Sequence, residues 1–313
     1  MKKILCAGAI TTDILVCPAD TIPEPGTLRS VESITTSVGG CATNCAIDLG
    51  KLGVPVAVSG RVGKDIYGDF VRSELIKNNV DAKPLVAADS SPTTLSVACI
   101  RSWGERSFMY NPASSANYCL DDVDWQAVED CDIVFYTGAM LLTSFDGAPC
   151  AEFLKKCREM GKFTVLDTAW DFDGIWFDKI ASVFDGLDLF MPSIDEAKNI
   201  SGKEEIADIA EFFFEKGVKN IIIKDGANGA FLQKKGEEIK HFPTYTEIKP
   251  VDTTGAGDSF CSGFLAGLAM DWSFEDSVKF GNAVGTHCIM EIGASAGIKS
   301  IDETLEFMKN HKI

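Results

Sequence analysis

The chain has 313 residues, of which 46% are hydrophobic and 24% charged, and a formal net charge of −17. That length and balance suit one substantial soluble α/β core, and the negative charge argues against nucleic acid and anionic membranes as partners, since both need basic patches. Eleven Cys residues without a C-x-x-C pair point to reduced thiols and a cytoplasmic setting, and no run approaches the roughly 18 apolar residues of a membrane span.

Residues 4–9 form a short apolar run that Thr11, Thr12 and Asp13 end at once, which predicts a first buried strand rather than a leader segment. Residues 28–34 alternate with period two and predict a half-exposed strand. A helix follows over 42–52 and ends at Gly53, then an apolar strand over 54–59 and a helix over 70–77. A hairpin is expected from 94–100 through a turn at Trp103-Gly104-Glu105 into 106–110. Apolar strands at 133–136, 163–166, 187–191 and 221–223 alternate with helical segments such as 151–160 and 206–216, which Gly161 and Gly217 close. Continuous apolar strands alternating with helices predict a mostly parallel sheet covered on both faces. The period-two strands predict a small separate β-sheet, built from insertions at about 14–37 and 93–112. With no internal repeat or linker, residues 1–313 read as one unit.

Six segments can carry chemistry. Asp13 follows the first strand, where parallel sheets place ligand contacts, although taken alone it reads first as a turn or helix cap. Gly39 and Gly40 lead into a helix whose first turn holds Asn44; the glycines admit a ligand to the backbone, and Asn44 either meets hydroxyls or caps the helix locally. The stretch 60–68 reads as a strand end turning into a helix, and Asp65 has only a minor claim on the substrate side. Ser193-x-x-Glu196 is a capping box, while Glu196 also suits a magnesium ion held through water. Lys224-Asp225-Gly226-Ala227-Asn228-Gly229 is either a hairpin turn or a phosphate-lining loop.

The sixth segment, Asp252-Thr253-Thr254-Gly255-Ala256-Gly257-Asp258-Ser259-Phe260, is the most specific. A glycine-lined turn feeding a helix offers free N–H groups and the positive end of the helix dipole to an anion such as phosphate. An acid at an anion hole suits a base that takes a proton from an attacking hydroxyl. Other chemistries fail on inventory: His241, His287 and His311 fall in no metal or triad pattern, and neither a P-loop nor a G-x-G-x-x-G after the first strand is present.

These segments, in this order from about Ile4 to Ile298, resemble the ribokinase-like (PfkB) carbohydrate kinases. The resemblance implies a three-layer α/β/α fold with a small β-sheet lid that excludes water and offers a face for a homodimer. It implies Asp258 as catalytic base and Gly255, Ala256 and Gly257 as the anion hole. Asp13, Gly39, Gly40 and Asn44 would grip the sugar. Lys224, Gly226, Gly229 and Asn282 would line ATP, and Glu196 would act on Mg2+ through water, with Ser193 where relatives carry Asn. Asp252, Thr254 and Gly293, with the backbone at Cys288, would form a monovalent-cation site for K+, although Gly297 stands where relatives often carry Ser. In members acting on fructose or acidic sugars a D-x-N-x-R segment follows the middle strand; here it reads Asp167-Thr168-Ala169-Trp170-Asp171. Without that Arg to pair a carboxylate, and with Arg106 expected to be solvated on its hairpin, a neutral pentose or hexose leads as acceptor. A nucleoside is the alternative, followed by a non-catalytic ligand-binding relative.

Overall fold

The computed structural model describes residues 1–103 and 105–311. Its strands in chain order are β1 (Ile4–Gly8), β2 (Thr11–Cys17), β3 (Ser33–Gly39), β4 (Val56–Gly63), β5 (Leu85–Ala88), β6 (Leu95–Ile100), β7 (Arg106–Asn111), β8 (Ile133–Ala139), β9 (Phe163–Thr168), β10 (Leu189–Phe190), β11 (Asn220–Lys224), β12 (Ala230–Lys234) and β13 (Lys240–Phe242). The helices are α1 (Cys41–Lys51), α2 (Ile66–Lys77), α3 (Ala113–Ala116), α4 (Trp125–Glu129), α5 (Ala148–Glu159), α6 (Phe177–Ile180), α7 (Ile194–Ser201), α8 (Ile206–Glu215), α9 (Ala256–Ala269), α10 (Phe274–Ile289) and α11 (Ile301–Asn310).

Nine strands form one sheet in the order β13-β12-β11-β10-β9-β8-β1-β4-β5, parallel from β11 to β5, with β12 and β13 added antiparallel at one edge. Successive residues of β1 serve opposite faces. Ile4 and Cys6 join the core under α1, α9 and α10, whereas Leu5 and Ala7 join the core under α5 and α8. A strand buried on both faces must be apolar throughout, which is why the continuous apolar runs marked this sheet.

A second sheet of four strands, ordered β3-β2-β6-β7, stands apart from the first. The hairpin of β6 and β7 lies where alternation placed it, and β2, which alternation did not mark, pairs between it and β3. The strand expected over 28–34 is displaced. Pairing begins only at Ser33 with Cys17, and Leu28 is 93% exposed. Alternation there lacked a packing partner, and tertiary pairing with β2 set the strand later. The expected turn at Trp103-Gly104-Glu105 includes Gly104, which lies outside the described residues. Among the described residues no helix is long and apolar enough to cross a membrane.

Candidate active site

Helix α9 begins at Gly255, whose φ of 77° and ψ of 0° put it in the left-handed region. A Cβ there would lie 2.6 Å from the carbonyl oxygen of Ala294, so both the backbone conformation and the close approach require glycine. No side chain caps this helix. The Ala256 N–H donates to the carbonyl of Thr253 at 3.2 Å, leaving the next N–H groups of the first turn, at Gly257 and Asp258, without intrahelical acceptors. They sit at the positive end of a 14-residue helix. Of the residues 255–257 expected to form an anion hole, Ala256 has its N–H taken by the turn, while that of Gly257 has no backbone acceptor.

Asp258 projects from that same turn. Its Oδ2 accepts from Asn44 Nδ2 at 2.8 Å. Burial raises the carboxyl above its ordinary value, opposed by the Asn44 hydrogen bond and the charge of Lys224. Asn44 is thus no local cap. Helix α1 begins at Gly40 without a side-chain cap, and Asn44 reaches across to α9 instead. A buried hydrogen bond from Ser259 Oγ to Asp48 Oδ2 at 2.7 Å fastens the same two helices.

Gly39 ends β3 and Gly40 begins α1, beside Asp13 in β2. Asp13 lies not in the loop after β1 but within the small sheet, in register with Ser37 and Ser96. Burial pushes its carboxyl up to about 6, with Ser96 opposing. A Cβ at Gly39 would sit 2.1 Å from Asp13 Oδ2, and one at Gly40 would meet the Ala9 carbonyl oxygen at 2.5 Å. Gly39→Ala should therefore displace a flexible carboxylate rather than break the fold. An overpacking strain of about 1–3 kcal/mol, if borne by the acceptor side, corresponds to roughly a 5- to 150-fold rise in acceptor KM. Steady-state kinetics beside a thermal melt would check this, and an unchanged KM would refute it.

On the other side of Asp258 opens a cleft of about 690 Å³. Gly257 and Asp258 line it, as do Lys224, Gly226, Gly229 and Asn282. Residues 225–229 are a hairpin turn between β11 and β12, and Gly226, Ala227 and Gly229 of that turn line the cleft. From α10, Asn282, Gly285, Thr286 and Ile289 face the cleft at helical spacing, whereas Phe280 is fully buried in the core. The Asn282 amide donates to the carbonyls of Phe242 and Pro243 at 3.0 Å each, holding the strand-exit loop that forms the opposite wall.

Lys224 is not a free charge. Its Nζ lies 2.7 Å from Asp167 Oδ1, with side-chain exposures of 12% and 3%. Burial alone would lower Lys224, but Asp167, Cys261 and Glu196 outweigh it and hold the ammonium well above its ordinary value. Sequence reasoning used Asp167 only as a specificity position and missed this pair, since residues 57 apart carry no local signal. Ser193 and Glu196 form the expected capping box at the start of α7. Glu196 Oε2 accepts both the Ser193 N–H at 2.9 Å and the Thr168 hydroxyl at 3.1 Å, and Glu196 still lines the cleft.

Asp252, Thr254 and Gly293 also come together. The Asp252 carboxylate accepts the Thr254 N–H at 2.8 Å and the Gly293 N–H at 2.9 Å. It also has a side-chain cation beside it. Arg106 Nη2 of β7 lies 2.8 Å from Asp252 Oδ1, and Arg106 Nη1 donates to the Thr254 hydroxyl. The expectation of a solvated Arg106 is corrected: its side chain is 25% exposed and reaches from the small sheet to the anion turn. Arg106 thus meets Asp252 Oδ1 and the Thr254 hydroxyl, on two of the residues expected to hold a monovalent cation.

A family model described as pfkB family carbohydrate kinase matches residues 1–301. The chain is 27% identical over 324 residues to a ribokinase of Haemophilus influenzae, covering 99% of each chain. It is 26% identical over 330 residues to a probable fructokinase of Arabidopsis thaliana, covering 98% of this chain and 92% of the relative. In fold it is similar to the Arabidopsis thaliana ribokinase solved with ribose and ATP, with a TM-score of 0.86 at 22% identity, covering 98% of this chain and 99% of that one.

Proposed function

Because the chain belongs to the pfkB family of carbohydrate kinases, we propose that it transfers the γ-phosphoryl group of ATP to a hydroxymethyl hydroxyl of a neutral pentose or hexose. The observation that carries this reading is Asp258, held by Asn44 at 2.8 Å beside the uncapped N-terminus of α9. A base and an anion hole on one turn can take the hydroxyl proton and receive the phosphoryl charge together. Asp13, Asn44 and the Gly39-Gly40 turn orient the acceptor, and the small sheet closes over them to exclude water.

ATP would lie in the cleft, with its phosphates toward Gly257 and Lys224 and its base against the α10 face. Glu196 keeps its Oε1 for a water of a magnesium ion, and that ion supplies charge neutralisation to the triphosphate when bound. A neutral acceptor is favoured because the segment after β9 holds no arginine, and Arg106 is engaged by Asp252. The relatives named ribokinase and probable fructokinase support a sugar kinase. Two copies can meet through the small sheet, where Ile34 and Phe108 are 65% and 61% exposed; sedimentation would test this.

Measuring ADP release with magnesium against a panel of neutral sugars, acidic sugars and nucleosides tests the assignment. Turnover confined to neutral pentoses or hexoses is the expected result. Preferred turnover of a nucleoside or an acidic sugar would overturn the acceptor class. Tight sugar binding without ADP release would overturn the reaction itself.

A further inference from the structure

Asp252 is a buried carboxylate two residues before Thr254, and it holds both Thr254 and Gly293 through their N–H groups. Those bonds brace the turn from which Gly257 and Asp258 act. A carboxylate with 3% side-chain exposure needs a cation beside it. In this chain the cation comes from the other sheet, as Arg106 of the β7 edge strand. Its guanidinium spans the Asp252 carboxylate and the Thr254 hydroxyl, a two-point grip that a planar fork makes well.

Two further observations fit a site organised around a side chain rather than an ion. The Cys288 thiol lies 3.3 Å from the Thr254 carbonyl and 3.2 Å from the Ala294 carbonyl, and its single proton serves one of them at a time, so a donor already competes for oxygens that could face an ion. Gly297 provides no hydroxyl, and a Cβ there would lie 2.0 Å from the His287 carbonyl oxygen, so no side chain fits.

We propose that Arg106 takes the place of a monovalent cation at Asp252 and ties the position of the small sheet to the shape of the phosphoryl-transfer turn. The idea rests on the kinase reading for its catalytic consequence, but not for its structural one. Arg106 is a positioning residue, since it touches Asp252 and Thr254 rather than the reacting atoms. With Arg106 seated, the turn is braced while the small sheet lies over the acceptor site. With the sheet lifted, Asp252 loses its counter-charge and the turn loosens.

The test compares the wild-type protein with Arg106→Gln and Arg106→Lys in KCl and in tetramethylammonium chloride at equal ionic strength. The wild type should show the same kcat and the same thermal midpoint in both salts. Arg106→Gln should lose about tenfold in kcat, the scale of one hydrogen bond to a charged group. It should also melt lower, and KCl should restore part of both losses where tetramethylammonium does not. Arg106→Lys should recover more than half of the lost midpoint. Wild-type turnover or stability raised selectively by KCl would overturn the proposal. An Arg106→Gln protein that matches the wild type, or that responds equally to both salts, would do the same. The melting comparison needs no turnover, so it stands even if no acceptor is phosphorylated.

Discussion

Asp258→Asn is expected to fold normally and to lose about 10²- to 10⁴-fold in kcat, the usual contribution of a positioned general base. The substitution keeps shape and polarity: Asn44 Nδ2, now 2.8 Å from the carboxylate, can donate as well to an amide oxygen. The open N–H groups at the start of α9 are untouched, so residual turnover should come from the anion hole and binding. What disappears is the acceptor for the hydroxyl proton. Kinetics with the best acceptor, beside circular dichroism and a denaturant titration, separate chemistry from folding. A folded variant within about tenfold of wild-type kcat would mean the proton leaves by another route.

Burial sets the direction of the pH effect expected of the proposed base. Burial, opposed by Asn44 and Lys224, raises the Asp258 carboxyl above its ordinary value, so the folded protein binds that proton more tightly than the unfolded chain does. An ionised Asp258 therefore costs stability. The cost is absent below the unfolded pKa and grows as pH rises through the folded one. Asp258→Asn removes it, so the variant should unfold at equal or higher denaturant than the wild type at pH 7, with the difference shrinking on acidification. Wild-type kcat should fall as acid protonates the base, and the variant should lack that limb. Asp13, pushed up to about 6 by burial, adds a rise in acceptor KM below that pH. The variant should keep this rise, since Asp13 is unchanged.

The sequence showed most clearly what local physics determines. Strands buried on both faces had to be apolar, so β1, β8 and β11 were readable. The α9 turn was readable because glycine, anion and acid coincide within a few residues. The start of β3 was not, since a half-exposed strand takes its register from its partner. Individual motifs pointed to a site, but not to how residues close it across the chain. Asn44 meets Asp258 over 214 positions, Arg106 meets Thr254 over 148, and Lys224 meets Asp167 over 57. Two of these placed a residue in a different role than its motif suggested: Arg106 left solvent for Asp252, and Lys224 became half of a buried pair.

That buried pair carries the largest expected stability effect. Lys224→Met should lower unfolding stability by about 3–5 kcal/mol, because it leaves the Asp167 carboxylate desolvated without its cation. Asp167 is 3% exposed, and its remaining donors are the Thr168 N–H at 2.9 Å and the weak thiol of Cys261 at 3.6 Å. Neither carries charge. Burial already pushes Asp167 up to about 7 even with Lys224 beside it, so the orphaned carboxyl should bind a proton more readily still. Its folded pKa then lies above the unfolded one. The penalty is therefore largest at high pH and relieved as pH falls through the raised Asp167 pKa, a window well above the ordinary carboxylate range in which the loss of a surface ion pair would be relieved. Adding Asp167→Asn should recover more than half of the lost stability, since the double variant holds no uncompensated charge. Denaturant midpoints for both proteins across pH measure this, and a single variant within about 1 kcal/mol of the wild type would exclude a tight pair. The double variant also separates the structural role of Lys224 from a role at phosphate. If the ammonium beside Gly257 serves the nucleotide as well, the stabilised double variant should still show a raised KM for ATP. If the pair only holds β9 to β11, that KM should return to the wild-type value with the stability.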